Sequence, residues 1–297
     1  MSIKCRSCNN YISKPDIEFK KYPISLWPCS KKLSKKTLDL EVYFCKNCSL
    51  MQLQRFKDKK IRSFYSNDSK VLNDNKLMIK RFNKIKNFVD NKKEIKILEI
   101  GGGRNNIIKH FTNSQKWLCD FDLDNVEENI NLVNKDFKNF KDKKKFFDYI
   151  FFFHTLEHIE NPKNFLLNAS NKLSFNAKII LEVPNISYYL KEYPYYAFFF
   201  QHQSMFSLNS LKNLLSNCNL KFDKIISNKD DSFILAIVSR SNEKKKALKK
   251  DQNILNSISL KIDKKIDSVR RLIFKYNIKN IAMYGCGGAS MTFFYHL

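Results

Sequence analysis

Short apolar runs alternate with polar segments of helical periodicity through the middle of this 297-residue chain. An apolar run bounded by turn residues is the pattern of a strand buried on both faces, and the segments between the later runs have the spacing of amphipathic helices. This alternation predicts an α/β protein whose parallel sheet is covered on both sides. We predict its strands at residues 95–100, 117–121, 131–133, 147–153 and 178–183.

The first of these strands ends in three consecutive glycines, Gly101, Gly102 and Gly103. A short helix is predicted directly after them, at residues 105–111. A strand, a glycine turn and a helix in this order open a nucleotide-binding α/β unit. The pattern therefore predicts a Rossmann-like sheet with a ligand site at this turn.

Further elements are predicted beyond the fifth strand. They are an amphipathic helix at residues 207–218, strands at 222–227 and 232–238, and a long helix at 251–276. Residues 281–288 then repeat the strand-to-glycine pattern, but one strand and one helix cannot bury both faces of a new sheet. We therefore predict a second, truncated α/β segment. The predicted domains are residues 1–60, 61–240 and 241–297, the last comprising a linker helix and that segment.

The N-terminal block contains two Cys-x-x-Cys pairs, Cys5 with Cys8 and Cys45 with Cys48. Two such pairs let four thiolates converge tetrahedrally on one Zn²⁺ ion, whereas the alternative is four ordinary reduced cysteines. The paired spacing favours zinc. Four sulfur ligands leave no position for water, so such a site is expected to be structural rather than catalytic.

The charge of the chain raises the question of a nucleic-acid partner. A formal net charge of +25 favours one, because basic surfaces attract phosphate. However, only eight of the 54 basic residues are arginine, the side chain whose planar fork suits phosphates and bases. We therefore disfavour nucleic acid and expect a small anionic substrate, such as a nucleotide-linked metabolite.

The chain shows no pattern of export or membrane insertion. Its first residues lack the apolar core of a signal peptide, and its apolar runs are too short to cross a bilayer. We expect a cytoplasmic protein without membrane contact. In that compartment, cysteines favour free thiols or a metal over disulfides.

The glycine turn discriminates between two classes of nucleotide cofactor. A dinucleotide site needs G-x-G-x-x-G, but the sixth position counted from Gly101 is Asn106. Glu99 instead forms an acidic-x-Gly-x-Gly turn, and a second carboxylate follows 21 to 23 residues later, at Asp120 or Asp122. This suits S-adenosylmethionine, whose amino-acid end approaches the backbone of the first and third glycines and whose ribose hydroxyls donate to the second carboxylate.

Residues 154–158 read His-Thr-Leu-Glu-His, which fits the H-x-x-E-H pattern of a zinc metalloprotease helix. Such a helix must place both histidines on one face. His154 instead follows an unbroken apolar strand, and Asn161 with Pro162 starts a new helix, so too few residues remain. We interpret the segment as the loop leaving the fourth strand, at the edge where such sheets bind ligands, and count His154 among the cofactor-binding candidates.

Several stretches resemble one family in order along nearly the whole chain. They are the Cys-x-x-Cys pair, LEIGGG, VNKDF, FFDYIFFFHTLEHIENP, LEVPN, QHQSMFSLNSLKNLL and YGCGGAS. Together they resemble the class I methyltransferases with an N-terminal zinc-binding domain, and most closely the bacterial sugar C-methyltransferases that act on nucleotide-linked keto-deoxysugars. LEIGGG and LEH occur in many methyltransferases, whereas the zinc pair with HQSMFSLNSL is more specific.

The resemblance implies roles for particular residues. In these enzymes a histidine removes a proton beside a keto group, and the enolate attacks the methyl group of S-adenosylmethionine. His202 matches that general base, and neutral imidazole accepts a proton near pH 7. His158 matches an active-site position that would donate to the enolate oxygen. Tyr65 matches an active-site tyrosine, and Asp136 matches an acceptor of the adenine amino group.

The sequence departs from this family at Phe199 and Gln201, where the family has tyrosine and glutamate. The change removes a phenol that polarises the sugar and a carboxylate that tunes the base, so the substrate or the methylated atom can differ. The leading hypothesis is methylation of a nucleotide-linked sugar for polysaccharide or glycoside synthesis. The alternatives are a non-catalytic zinc-ribbon and nucleotide-fold module that binds RNA or a partner protein, and an RNA methyltransferase.

Overall fold

The N-terminal part of the chain consists of short antiparallel strands. In the computed structural model, residues 2–23, 37–56, 75–90, 93–103, 106–121, 126–133, 136–140, 146–243, 250–251, 258–281 and 288–297 are described. A hairpin contains β1 (Ile3–Lys4) and β2 (Tyr11–Ile12), and a second sheet contains β3 (Ile17–Pro23), β4 (Thr37–Phe44) and β5 (Met51–Leu53).

A seven-stranded sheet forms the centre of the molecule. Its strands are β6 (Ile95–Ile100), β7 (Ser114–Cys119), β8 (Ile130–Leu132), β9 (Phe147–Phe153), β10 (Leu173–Pro184), β12 (Leu220–Ile225) and β13 (Phe233–Arg240). Their order across the sheet is β12, β13, β10, β9, β6, β7, β8. The order reverses between β6 and β9, which lie side by side. Their carboxyl ends therefore form the crevice in which sheets of this type bind ligands.

This arrangement confirms the predicted Rossmann-like α/β fold, with one difference in strand direction. Strands β6 to β10 run parallel to their neighbours in the sheet. Strand β13, however, is antiparallel to both β10 and β12. The antiparallel direction follows from the short connection between β12 and β13, which returns the chain directly beside β12. Parallel strands would need a long crossover.

Helices and apolar cores cover both faces of the central sheet. The helices are α1 (Asn75–Ile85), α2 (Pro162–Ser170), α3 (Ile186–Glu192), α4 (Leu208–Asn217), α5 (Ile258–Lys275) and α6 (Gly288–His296). Neighbouring residues of β6 point to opposite faces, so Ile97 packs in one core and Leu98 in the other. Among these described helices, none is long and apolar enough to cross a membrane.

The helix starts follow their capping residues. The side chain of Asn161 accepts a hydrogen bond from the Asn164 N–H, and Pro162 occupies the first turn of α2, which confirms the predicted start. Ser207 and Ser210 form a reciprocal capping box at the start of α4. Residues 252–257 and 282–287, which include parts of the predicted long helix and the second glycine turn, lie outside the described residues.

The helix predicted at residues 105–111 is wrong as an α-helix. Only one 3-10 turn forms there, at Ile108–His110. Strand β7 already begins at Ser114, and the N–H of Ile95 binds the carbonyl of Asn113, so the chain has room for a single turn.

The N-terminal sheet includes a strand from the second half of the chain. Strand β11 (Ser204–Met205), which lies between β10 and β12 in sequence, pairs antiparallel with β5 of the N-terminal sheet. The side chain of Asn213 on α4 also donates to the Cys48 carbonyl at 3.0 Å. The segment that carries His202 is therefore held against the N-terminal part of the chain.

Candidate functional site

The glycine turn is pressed against the loop that follows β9. Gly101 has a φ of +80°, and a Cβ atom at this position would lie 2.4 Å from the Thr155 Oγ1 atom. The Thr155 hydroxyl is held there by the carbonyl groups of Ile100 and Phe153, at 3.1 and 3.2 Å. Only glycine fits such a left-handed position in contact with a neighbouring side chain.

Glu99 supports the turn from below. Its buried carboxylate accepts hydrogen bonds from the N–H groups of Ile107 and Ile108, at 2.7 and 3.1 Å. A Cβ atom on Gly102 would lie 2.6 Å from the Glu99 carboxylate. Burial raises the pKa of Glu99 to about 8, although the two N–H donors act in the opposite direction. These contacts place the Glu99 carboxyl group directly beneath the glycine turn.

Above the turn, the sheet edge is open and carries acidic groups. Gly101 is exposed, and the Gly103 N–H donates to the half-buried carboxylate of Asp120 at 2.9 Å. Phe121, the next residue, is 56% exposed. Asp136 caps the 3-10 turn at Phe137–Asn139 by accepting from the Lys138 N–H. Two further candidates, Asp122 and Tyr65, lie outside the described residues.

A chain of buried charges runs beside this edge. Arg81 on α1 donates through Nε to Glu182 Oε1 of β10 at 3.0 Å. The same oxygen lies 2.9 Å from His154 Nε2, and the other ring nitrogen of His154 lies 3.4 Å from Glu157 Oε1. The side chains of Arg81, Glu182 and Glu157 are all more than 90% buried. Buried charges at this density are costly unless they are paired, and here they are paired.

His154 is the positive member between the two carboxylates. Desolvation acts to lower the pKa of this ring, whose side chain is 42% exposed, but ion pairing with Glu157 and Glu182 raises the pKa to about 9. Burial would likewise raise the pKa of Glu157, but His154 and the neighbouring histidines lower it to about 2. His154 also has a φ of +48°, a left-handed conformation that is rare for residues other than glycine.

His158 and His202 lie on the far side of Glu157. The His158 Nδ1 atom is 3.0 Å from the Gln201 carbonyl, which only accepts, so Nδ1 carries the proton and Nε2 faces Glu157 Oε1 at 3.8 Å. The ring centroids of the two histidines are 4.8 Å apart. Burial lowers the pKa of both rings, that of His202 to about 3. Both rings are therefore neutral near pH 7.

A small cavity opens beside His202. Its volume is about 10 Å³, and its walls include Glu157 and the ring of His202, together with side chains of Tyr189, Phe199 and Met205. The centroids of the Phe199 and His202 rings are 4.9 Å apart. The cavity has room for about one water molecule, and it combines an apolar wall with two titratable groups.

The H-x-x-E-H segment does not form a metalloprotease helix. His154 ends β9, whereas His158 lies in the 3-10 turn at Leu156–His158. The two rings approach Glu157 from separate positions instead of sharing one face of an α-helix. The segment is the loop at the carboxyl edge that the sequence predicts.

The four N-terminal cysteines converge. Cys5 Sγ lies 3.5 Å from Cys48 Sγ, Cys8 Sγ lies 3.5 Å from Cys45 Sγ, and the four sulfurs lie within 4.8 Å of one another without a disulfide. The two pairs have matching turns, because Asn9 and Ser49 each have a φ of +63°. A tetrahedral ion with sulfur ligands at about 2.3 Å requires sulfur separations of about 3.8 Å, so this group fits a metal ion.

Residues 74–225 match a family described as "Methyltransferase domain". The match covers about half of the chain and contains β6 to β12 together with His158 and His202. The chain belongs to this methyltransferase family. It is therefore an enzyme, and the glycine turn and the cavity lie within its methyltransferase domain.

Three solved structures that are similar to this chain are described as methyltransferases. One is an S-adenosylmethionine-dependent methyltransferase from Clostridium acetobutylicum ATCC 824, with 15% identity, a TM-score of 0.43, and coverage of 62% of this chain and 99% of the other. Another is the plantazolicin methyltransferase BpumL, with 17% identity, a TM-score of 0.46, and coverage of 62% and 90%. A third is the mitomycin 7-O-methyltransferase MmcR, with 11% identity, a TM-score of 0.46, and coverage of 62% and 59%. No curated protein matches the sequence.

Some residues of this methyltransferase site are not evident from its sequence. Glu157 is not among the residues that the sequence predicts for the site, yet its carboxylate lies between His154 and His158. The same is true of Glu182 and Arg81, which form a buried ion pair. The signal that points to Glu182 is an acidic residue within the apolar run 179–183 of β10, because a charge buried in a central strand needs a partner.

Proposed function

We propose that this methyltransferase binds S-adenosylmethionine across the glycine turn. The observation that carries the proposal is the exposed turn at the point of strand reversal, with Asp120 beside it. A half-buried carboxylate at the end of β7 suits the paired hydroxyls of a ribose, and acidic side chains suit a sulfonium cation. In this arrangement Glu99 holds the turn in shape, and Asp136 is the proposed partner of the adenine amino group.

Replacement of Asp120 by asparagine is expected to weaken S-adenosylmethionine binding about tenfold. The change keeps the size of the side chain but removes the charge that strengthens hydrogen bonds from hydroxyl groups, a loss of about 1.4 kcal/mol. Titration calorimetry of the metal-loaded protein measures this. The matched control is Asp230→Asn, because the Asp230 side chain is 80% exposed and its loss should leave the affinity unchanged. Equal affinities of the three proteins would contradict the proposed ribose contact.

We further propose that the methyl acceptor is a nucleotide-linked sugar whose reacting group is held beside His202, at this cavity. The cavity supports this by placing a neutral imidazole, a buried carboxylate and an apolar wall around one small space. The apolar wall includes Phe199, one of the positions at which the sequence departs from the sugar C-methyltransferases. A phenylalanine cannot donate a hydrogen bond, so we expect an acceptor with fewer polar groups on this side.

In the proposed reaction, His202 removes a proton from the carbon beside a keto group of the acceptor. The resulting carbanion, stabilised as an enolate, forms the new C–C bond to the methyl carbon. When bound, S-adenosylmethionine supplies that methyl group, and the S–CH₃ electron pair returns to sulfur. His158 lies on the same side; its Nδ1 proton is bound to the Gln201 carbonyl, and it is proposed to hold the segment that carries His202 in place. Glu157 favours the protonated state of His202, because a buried carboxylate raises the pKa of a nearby imidazole.

We propose that the four N-terminal cysteines hold one Zn²⁺ ion with a structural role. Cys5, Cys8, Cys45 and Cys48 supply four sulfur ligands, which leaves no position for a reacting water. Atomic emission analysis of purified protein is expected to give one zinc per chain, and a Cys48→Ser variant should lose it. Release of zinc by a chelator should lower the melting temperature, since metal binding contributes to folding. Full zinc content in the variant would contradict this ligand set.

A further inference from the structure

Arg6 is a buried cation in the middle of the first cysteine pair. It lies between Cys5 and Cys8, and only 4% of it is exposed. Its backbone N–H donates to the Gln52 side chain at 2.8 Å. The corresponding residue of the second pair is Lys46, which is exposed. The two cysteine pairs therefore have similar turns, but the residue after the first cysteine is buried in one pair and exposed in the other.

The guanidinium of Arg6 reaches out of the N-terminal part to the segment that carries His202. Its NH1 atom donates to the carbonyls of Leu53 and Gln203, at 2.7 and 2.8 Å. Its NH2 atom donates to the Gln203 side-chain carbonyl at 3.3 Å and to the Gln54 carbonyl at 3.4 Å. All these acceptors are neutral oxygens. Burying a guanidinium costs free energy, and these hydrogen bonds offset that cost. They form a bridge between the N-terminal part and the segment that carries His202.

Gln203 connects this bridge to both His158 and His202. It is buried, it follows His202 directly in sequence, and its Nε2 atom donates to the His158 carbonyl at 2.8 Å. Its own carbonyl accepts from the Leu53 N–H as well as from Arg6. The neighbouring Gln201 carbonyl binds the His158 ring. The position of the short segment 201–203 is therefore defined by Arg6 on one side and His158 on the other.

We infer that Arg6 is a positioning residue that transmits the geometry of the four-cysteine group to His202. The cysteine group fixes the backbone on both sides of Arg6, and the fork of Arg6 fixes Gln203 relative to β5. Lysine cannot replace it, because a single ammonium cannot reproduce the fork that binds three backbone carbonyls and an amide oxygen. The N-terminal part thus contributes to the reaction without contacting the acceptor. The inference rests on the proposed function only for its kinetic readout.

The test compares Arg6→Gln with Lys46→Gln, the same change at the matched position of the second cysteine pair. Proton NMR titration of the histidine rings, assigned with His202→Asn and His158→Asn, reports the environment of His202 without any substrate. In Arg6→Gln the pKa of His202 is expected to move toward that of an exposed histidine, about 6.5. The kcat for methyl transfer is expected to fall about 10- to 100-fold, since a displacement of about 1 Å has effects of this size. S-adenosylmethionine affinity should stay within about twofold, and Lys46→Gln should match the wild type throughout.

Arg6→Lys serves as the second variant if Arg6→Gln does not fold, because it retains the buried charge and loses only the fork. A folded Arg6→Lys protein with the wild-type His202 titration would overturn the inference. A loss of S-adenosylmethionine affinity in parallel with the rate would also overturn it, because it would show a general loss of structure. If the wild-type protein itself transfers no methyl group, the proposed function fails, while the His202 titration still tests the role of Arg6.

Discussion

Replacement of His202 by asparagine is expected to lower the rate of methyl transfer by about 10²- to 10⁴-fold, the range for loss of a general base. Asparagine fills similar space and retains hydrogen-bonding groups, but it cannot accept a proton near neutral pH. S-adenosylmethionine affinity should remain within about twofold, because the proposed cofactor contacts lie at Gly101, Gly103 and Asp120. The measurement uses labelled methyl donor with a panel of nucleotide-linked keto sugars, together with calorimetry of donor binding.

The matched control for this variant is His110→Asn. His110 lies at the amino ends of the strands, where it packs against Phe82, and so it is remote from the cavity. The control should retain full activity. If His202→Asn retained more than about one tenth of the wild-type rate, the proton would be taken by another group.

The pH dependence of stability gives a second test of the His202 environment. Burial holds the pKa of His202 at about 3, below the value of about 6.5 in the unfolded chain. Between these two values the unfolded state binds more protons than the folded state, so this group makes stability fall as the pH drops from 6.5. Denaturant unfolding of His202→Asn should therefore show a weaker decline in that interval than the wild type. An unchanged decline would indicate that His202 is not buried as a neutral ring.

The strands of the central sheet were predictable because buried strands appear in the sequence as short apolar runs. Strands β6 and β9 have the predicted bounds, 95–100 and 147–153, since most of their positions are buried. The glycine turn was also predictable, because its three glycines are consecutive and directly follow an apolar run. In contrast, β11 has only two residues and pairs with β5, about 150 residues earlier in the sequence. No local pattern of two residues can specify such a partner.

The charged part of the site was only partly predictable. The histidine candidates His154, His158 and His202 do lie near Glu157, but the pairing of Glu182 with Arg81 depends on how α1 packs beside β10. The role of Arg6 is hidden for the same reason, because an arginine between two cysteines gives no indication that it is buried. These interactions join segments that are distant in sequence, and tertiary packing alone brings them together.

Gly101→Ala is expected to reduce S-adenosylmethionine affinity by at least about 100-fold and to destabilise the fold by about 3 kcal/mol. An alanine at this φ costs about 1 to 2 kcal/mol, and its Cβ atom would meet the Thr155 side chain well inside contact distance. Thr155 cannot turn away without breaking its bonds to Ile100 and Phe153. The turn must therefore shift, which moves the backbone that the cofactor is proposed to approach. Calorimetry and denaturant unfolding measure the two effects.

Gly103→Ala is the matched control within the same turn. Gly103 also has a positive φ, of +49°, but a Cβ atom there would lie 3.6 Å from Asp120, at an ordinary contact distance. Only the cost of a left-handed backbone conformation for alanine, about 1 kcal/mol, should remain. Adding Thr155→Ala to Gly101→Ala removes the colliding atoms. The double variant should therefore be at least about 1 kcal/mol more stable to unfolding than the sum of the two single effects predicts. Equal costs for the two glycines, or strict additivity with Thr155, would show that contact with the β9 loop does not determine the shape of the turn.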